Sequence, residues 1–395
     1  MEQEVKYAKI INVLFILCTF ILTRQFPLML LSPLMNVCVV MLVVFSLANN
    51  SYTVKDLRLI AVLVFLPLAI NFLYSIFVEH NSIGNASRFF LILVFIAFAY
   101  GIRVNINAVR AFVILHVIQV FVLLGVFLVV SLFLGFEGYL PLRAFFLEKG
   151  WGDVYSYTGY LYKIQLKGNA LILFSFFVAS EFPLFKRTKL IVAILLLGVF
   201  LSGNFTFICI AFAYLLFRFL NWNNFTNVNK YLLCVLAVVM VLVFSSPFIV
   251  EYVLETLEMK SDESLATRGD QINVLLQDWG KDLGTMLLGG GLGNTMNEVT
   301  AYRDYRGEVY FELQSIYVFN QLGLLFSLPY FFYNIMIVFK RWSSQGYIVL
   351  IYILYLIYAF SNPYLLDTNQ FLVIIVLNSI YVWREKNILA GTSVH

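Results

Sequence analysis

The chain has 395 residues, of which 62% are hydrophobic and only 12% charged, with a formal charge of +4. A water-soluble domain typically carries about 25% charged residues, so this composition excludes a soluble globular enzyme. Aromatics at 17% exclude low-complexity disorder, and a small, dispersed positive charge excludes a nucleic-acid partner.

Taken in chain order, the apolar runs predict helices at 8–23, 27–47, 58–78, 87–102, 110–134, 168–182, 189–203, 205–220, 231–250, 312–339, 346–361 and 368–383. Twelve helices of about 20 residues would use about 240 residues. The expected fold is an all-α integral membrane protein with about 12 transmembrane helices. Its parts are 1–134 (helices one to five), 135–167 (a first long loop), 168–250 (helices six to nine), 251–311 (a second long loop), and 312–395 (the last three helices and a tail). The first run lacks a small-residue cleavage site and leads directly into the second, so it reads as a retained helix. Lys and Arg of the short loops divide fifteen to two between the sides, the two being Arg24 and Arg88. The positive-inside rule then puts both termini in the cytoplasm and both long loops outside.

The second loop carries a helix signal. Thr267 followed by Asp270 has the spacing of a capping box, and Ile272, Leu275, Leu276, Trp279 and Leu283 recur on one face. An amphipathic helix with an interfacial Trp suits the outer membrane surface.

The four cysteines all lie in apolar stretches and the three histidines are scattered, so neither a disulfide framework nor a metal site is expected. No charged residue falls in the middle of a run, which counts against an ion-coupled carrier. His116 and Gln119 read as a polar pair bonded to a neighbouring helix, with a proton relay as the alternative. The outer loops hold Arg143, Lys149, Lys163 and Lys167, then Lys260, Arg268, Lys281, Arg303 and Arg306. The planar fork of Arg suits phosphate; the alternative is a solvated loop touching lipid headgroups. Arg268 stands out because it opens a helix, where an anion is already favoured. Gly289, Gly290, Gly291 and Gly293 read as a flexible turn or as a backbone nest for phosphate. Glu312 stands where the second loop enters a helix. It reads as a base or orienter for a hydroxyl, or as a cap on that helix.

These features resemble the Wzy-type O-antigen and capsular polysaccharide polymerases, relatives of the O-antigen ligases. The likeness rests on Arg268, the Trp279 helix, the Gly289–Gly293 turn, Glu312 at the position of the ligase His, and Gly323 beyond it. Ser361-Asn-Pro-Tyr364 adds to it. The chain departs from the pattern in three places: eleven residues, not ten, separate Arg268 from Gly280, no Gly stands at the expected distance from Arg143, and Ser202-Gly-Asn204 after helix seven lacks the basic residue of the ligases.

The resemblance implies an inner-membrane glycosyltransferase acting at the periplasmic face, with two long periplasmic loops. It would polymerise oligosaccharide units carried on undecaprenyl pyrophosphate, by a single inverting displacement. Arg268, helped by Arg143, Lys163, Lys167, Arg303 and Arg306, would neutralise the pyrophosphate without a metal or other cofactor. Glu312 would orient or deprotonate the acceptor hydroxyl, and Tyr302, Tyr305 and Tyr310 would stack on sugars. A chain-length regulator and a flippase would be partners beside the lipid membrane. An O-antigen ligase, or a lipid-linked oligosaccharide flippase, is the alternative.

Overall fold

The computed structural model describes residues 2–28, 32–156, 162–220 and 266–389. Helix dominates them: α1 (Glu2–Thr23), α2 (Ser32–Ala48), α3 (Val54–Phe77), α4 (Ile83–Ala99), α5 (Ile106–Leu134), α6 (Gly135–Glu148), α7 (Ile172–Glu181), α8 (Thr188–Leu201), α9 (Phe205–Leu220), α10 (Ala266–Trp279), α11 (Leu283–Leu288), α12 (Gln314–Trp342), α13 (Gly346–Phe360) and α14 (Thr368–Leu389). One antiparallel hairpin joins them, β1 (Gly152–Ser156) with β2 (Tyr162–Leu166), in the register Gly152 opposite Leu166.

The expectation of about twelve crossings is overturned. Among the described residues only Lys6–Thr23, Val54–Phe77, Ile106–Leu134 and Gln314–Trp342 are long and apolar enough to cross a membrane. By length and composition these four fit a multi-pass membrane protein. The other apolar runs fold into helices of 10–17 residues, such as Thr188–Leu201 and Gly346–Phe360. At 1.5 Å per residue, 14 residues reach about 21 Å, short of a hydrocarbon core of about 30 Å. α14 is long enough but ends in Arg384, Glu385 and Lys386 and is not apolar enough. The run at 231–250 lies outside the described residues. The fifteen-to-two tally presupposed twelve crossings, so it loses its basis.

Nor is the fold purely helical, and the first expected loop carries regular structure. Residues 135–148 are helical, and the hairpin follows. Along Tyr162–Leu166 burial alternates, with Tyr162, Ile164 and Leu166 inside and Lys163 and Gln165 turned outward, the period of a strand.

The chain divides into two units. The first takes Met1–Leu14, Val39–Asn105 and Glu263–Glu385; the second takes Phe15–Cys38, Ile106–Asp262 and Lys386–His395. Within the first, tyrosines of α12 reach α4: Tyr333 donates to the Ala97 carbonyl at 3.0 Å and Tyr330 to that of Leu93 at 3.4 Å. The middle of α14 is enclosed, Phe371 through Leu377 being 0% exposed, as befits a stretch apolar on every face. Within the second unit, Gly198 of α8 lets that helix close on Val120 of α5. A buried ion pair, Arg218 to Glu181 at 2.9 Å, sits beside Tyr214, which donates to Glu181 at 2.7 Å.

Candidate active site

The two residues singled out most strongly from sequence, Arg268 and Glu312, meet in the first unit. Arg268 Nε donates to Glu312 Oε2 at 3.3 Å across 44 positions of chain. Three ties bring them together. Asn320 of α12 donates to the Leu275 carbonyl and to Asp278 Oδ2 of α10, both at 3.0 Å. One turn beyond Arg268, Gln271 Oε1 accepts the amide of Leu313 at 3.4 Å. Asp270 Oδ2 accepts from Thr300 at 2.6 Å and from the Tyr305 hydroxyl at 2.9 Å. That last pair fastens the turn over 298–305 to α10, and Tyr305 stacks on Phe311 at 5.7 Å.

The pair is partly open: 23% of the Arg268 side chain and 40% of the Glu312 side chain are exposed. Such a single-contact pair contributes at most about 1 kcal/mol to stability. Its interest is placement. Nη1 and Nη2 of Arg268 have no partner among the described residues, which leaves the guanidinium fork able to take a second anion. Glu312 stands just before the cap position of α12, which is Leu313, and no side chain bonds there. Asp270 is not part of a capping box either: α10 is already helical at Ala266, so Thr267 lies inside it.

Tyr310 stands beside this pair. Loss of water around it, and then the negative charge of Glu312, push its hydroxyl up to about 12. Arg303 and Arg306 are in the same unit but already engaged. Arg306 grips Asp304 with both Nε and Nη2, and Arg303 lies 3.8 Å from Glu308 and over the Tyr305 ring at 5.8 Å.

The cations of the first loop belong to the second unit. Arg143 holds Asp153 in a two-pronged contact of 2.8 and 3.1 Å, which raises the guanidinium above its ordinary value. Lys163 donates to the Tyr155 hydroxyl at 2.6 Å. Lys167 opens a tight turn over Lys167–Leu171.

The glycine turn is bonded into the fold and is not an open nest. Gly290 donates to the Asn320 carbonyl, Gly291 to that of Gln321, Leu292 to Asn71 Oδ1 and Gly293 to Gln321 Oε1. With these amides spent, no row of donors remains for a phosphate. Gly289, Gly291 and Gly293 all have φ near +77°, where a Cβ is disfavoured. Gly323 faces Gly289 back to back and breaks α12, with φ 61° and ψ −175°.

Sequence reasoning missed one carboxylate. Asp367, between α13 and α14, accepts the amides of Asn369 at 2.8 Å and Gln370 at 3.2 Å. Burial nonetheless dominates and raises its carboxyl to about 6. Its charge bears on Tyr310 and Tyr364, which also feel Glu312. The signal was present: Asp367-Thr-Asn-Gln370 following Pro363 has the spacing of a helix start. Set against family models, curated proteins and solved structures, the chain finds no match, so the chemistry of this site rests on its own geometry.

Proposed function

We propose that this chain is a membrane glycosyltransferase that lengthens a polysaccharide from units carried on undecaprenyl pyrophosphate. The observation that carries the reading is the Arg268–Glu312 pair with Tyr310, Tyr364 and Asp367 around it. Glycosyl transfer from a pyrophosphate needs three things: a cation for the departing phosphates, a carboxylate for the attacking hydroxyl, and aromatic faces for sugar rings. Pyrophosphate leaves readily once its charge is met, so a fixed guanidinium replaces acid catalysis. In the ligand-free state Arg268 rests on Glu312; an arriving phosphate draws it away and frees the carboxylate for the hydroxyl. The displacement is direct and inverts the anomeric centre, with undecaprenyl pyrophosphate as the leaving group.

The proposed setting is the outer face of a bacterial inner membrane, with both termini in the cytoplasm. Basic residues support it without any count of twelve crossings. Taken in alternating directions, the four candidate spans have basic residues at the cytoplasmic end of three (Lys6 and Lys9; Arg103 and Arg110; Lys340 and Arg341), while Lys55 and Arg58 stand at the outer end of the second. The end of α12 that carries Glu312 is then the outer one.

Arg268→Ala tests the function. In membranes supplied with lipid-linked single units it should stop chain growth, while Arg268→Lys recovers only part, because an ammonium cannot form a planar two-pronged contact. Long chains from the alanine variant at equal protein level would remove Arg268 from the site.

A further inference from the structure

Just past α1 lies a cation that the proposed reaction does not use. Arg24 belongs to the second unit and is only 5% exposed. Its Nη1 donates to the Thr23 carbonyl at 2.9 Å and to Gln119 Oε1 at 2.7 Å, and its Nη2 to the Leu115 carbonyl at 3.1 Å. All three acceptors are neutral, and Nε has no partner among the described residues. The same unit gives Arg143 and Arg218 a carboxylate each; Arg24 has none among the described residues.

The surroundings of Arg24 are built. Gln119 Nε2 donates to Asn169 Oδ1 at 3.2 Å, and Asn169 Nδ2 to the Ile164 carbonyl at 2.7 Å. This chain of amides aims Gln119 Oε1 at the guanidinium. Gly168 packs so closely that a Cβ there would lie 2.9 Å from Thr23 Cα and 3.1 Å from the Gln119 amide. The end of α1, the face of α5 and the turn after β2 thus converge on one buried positive charge. Neutral carbonyls offset only part of the cost of taking a cation out of water, and a buried charge without a counter-ion is strongly disfavoured.

We propose that Arg24 anchors a second anion site, filled by a phosphate or pyrophosphate ester that supplies the missing counter-charge. The anion accepts from Nε and the remaining Nη2 proton, the planar pair of donors that suits phosphate oxygens. The site lies in the other unit from Arg268 and Glu312 and does not depend on their assignment. A transfer between two lipid-linked substrates does, however, bring two such groups to one protein.

The test uses full-length protein in a phosphate-free detergent, in an Arg268→Ala background so that this cation adds nothing. Inorganic pyrophosphate should raise the melting temperature progressively with concentration. Gln119→Glu should abolish that response and raise the melting temperature of the ligand-free protein, because a carboxylate in that position meets the charge from within. Arg24→Met should abolish the response as well; should it fail to fold, Gln119→Glu decides alone. Phosphatidylglycerol added to the micelles separates the sources. Stabilisation by this lipid, with a weakened pyrophosphate response, assigns the site to a headgroup; an undiminished pyrophosphate response assigns it to a pyrophosphate-bearing substrate. The proposal fails if neither compound stabilises the protein, or if Gln119→Glu responds to pyrophosphate as its parent does.

Discussion

Glu312 and Asp367 illustrate how surroundings divide one functional group into two roles. Glu312 is partly open and rests on a guanidinium; Asp367 is half-buried, and the loss of water around it raises its carboxyl to about 6. Glu312→Gln keeps size and hydrogen bonding but cannot take a proton. If the carboxylate acts as base, this variant should fold and bind the lipid-linked donor while losing polymerisation by about 10²-fold or more. Glu312→His restores a titratable base and should regain part of the rate; normal-length polymer from the Gln variant would end the assignment. For Asp367 the sign is opposite to that of most carboxylates. Its folded value lies above the ordinary 3.8, so the folded state binds the proton more tightly. Stability is then lost as pH rises from about 4 to about 6, and is flat above. Asp367→Asn can still cap α14, so it should erase that slope in melting temperature against pH without lowering the neutral-pH value. A slope that persists in the Asn variant would place its origin in another group.

At the scale of elements, what was legible depended on whether a pattern was local. Arg268, Trp279, the glycine turn and Glu312 stand out by residue type, and α10 and α12 bring the two charged ones together. The hairpin was legible too, since Tyr162-Lys-Ile-Gln-Leu166 alternates apolar and polar. It was masked by its basic residues, which read as free cations although the partner of Arg143 is only ten positions away at Asp153. The lock between Gly289 and Gly323 was not legible, because a backbone meeting between positions 34 apart leaves no periodicity. It yields a sharp expectation. Gly323 combines positive φ with extended ψ, a region held almost entirely by Gly and costing other residues on the order of 1–3 kcal/mol. A methyl there would also run into the backbone of Leu287, Leu288 and Gly289. Gly323→Ala should therefore lower the melting temperature strongly. Gly346→Ala, with nothing within 4 Å of the new methyl, should leave it unchanged. Equal effects in the two variants would show that the break in α12 tolerates a side chain.

For the whole molecule, composition revealed the solvent but not the number of crossings. A run of fifteen apolar residues reads alike whether it crosses a bilayer or packs against neighbouring helices, and only the helix ends in the fold separate the cases. α12 is where the question bears on function, because Glu312 precedes its first residue and Lys340 and Arg341 lie at its last turn. If it crosses, its two ends face different compartments. The check is single-cysteine labelling with a membrane-impermeant maleimide, after the four native cysteines are replaced. Tyr302, 63% exposed, reports on the Glu312 end, and the exposed Ser344 on the other. Tyr302→Cys should label in intact spheroplasts, and Ser344→Cys only after the membrane is opened. Reversed labelling would put the Arg268–Glu312 pair in the cytoplasm, against the proposed outer-face setting. Labelling of both from one side would mean that α12, broken at Gly323, enters the membrane and returns.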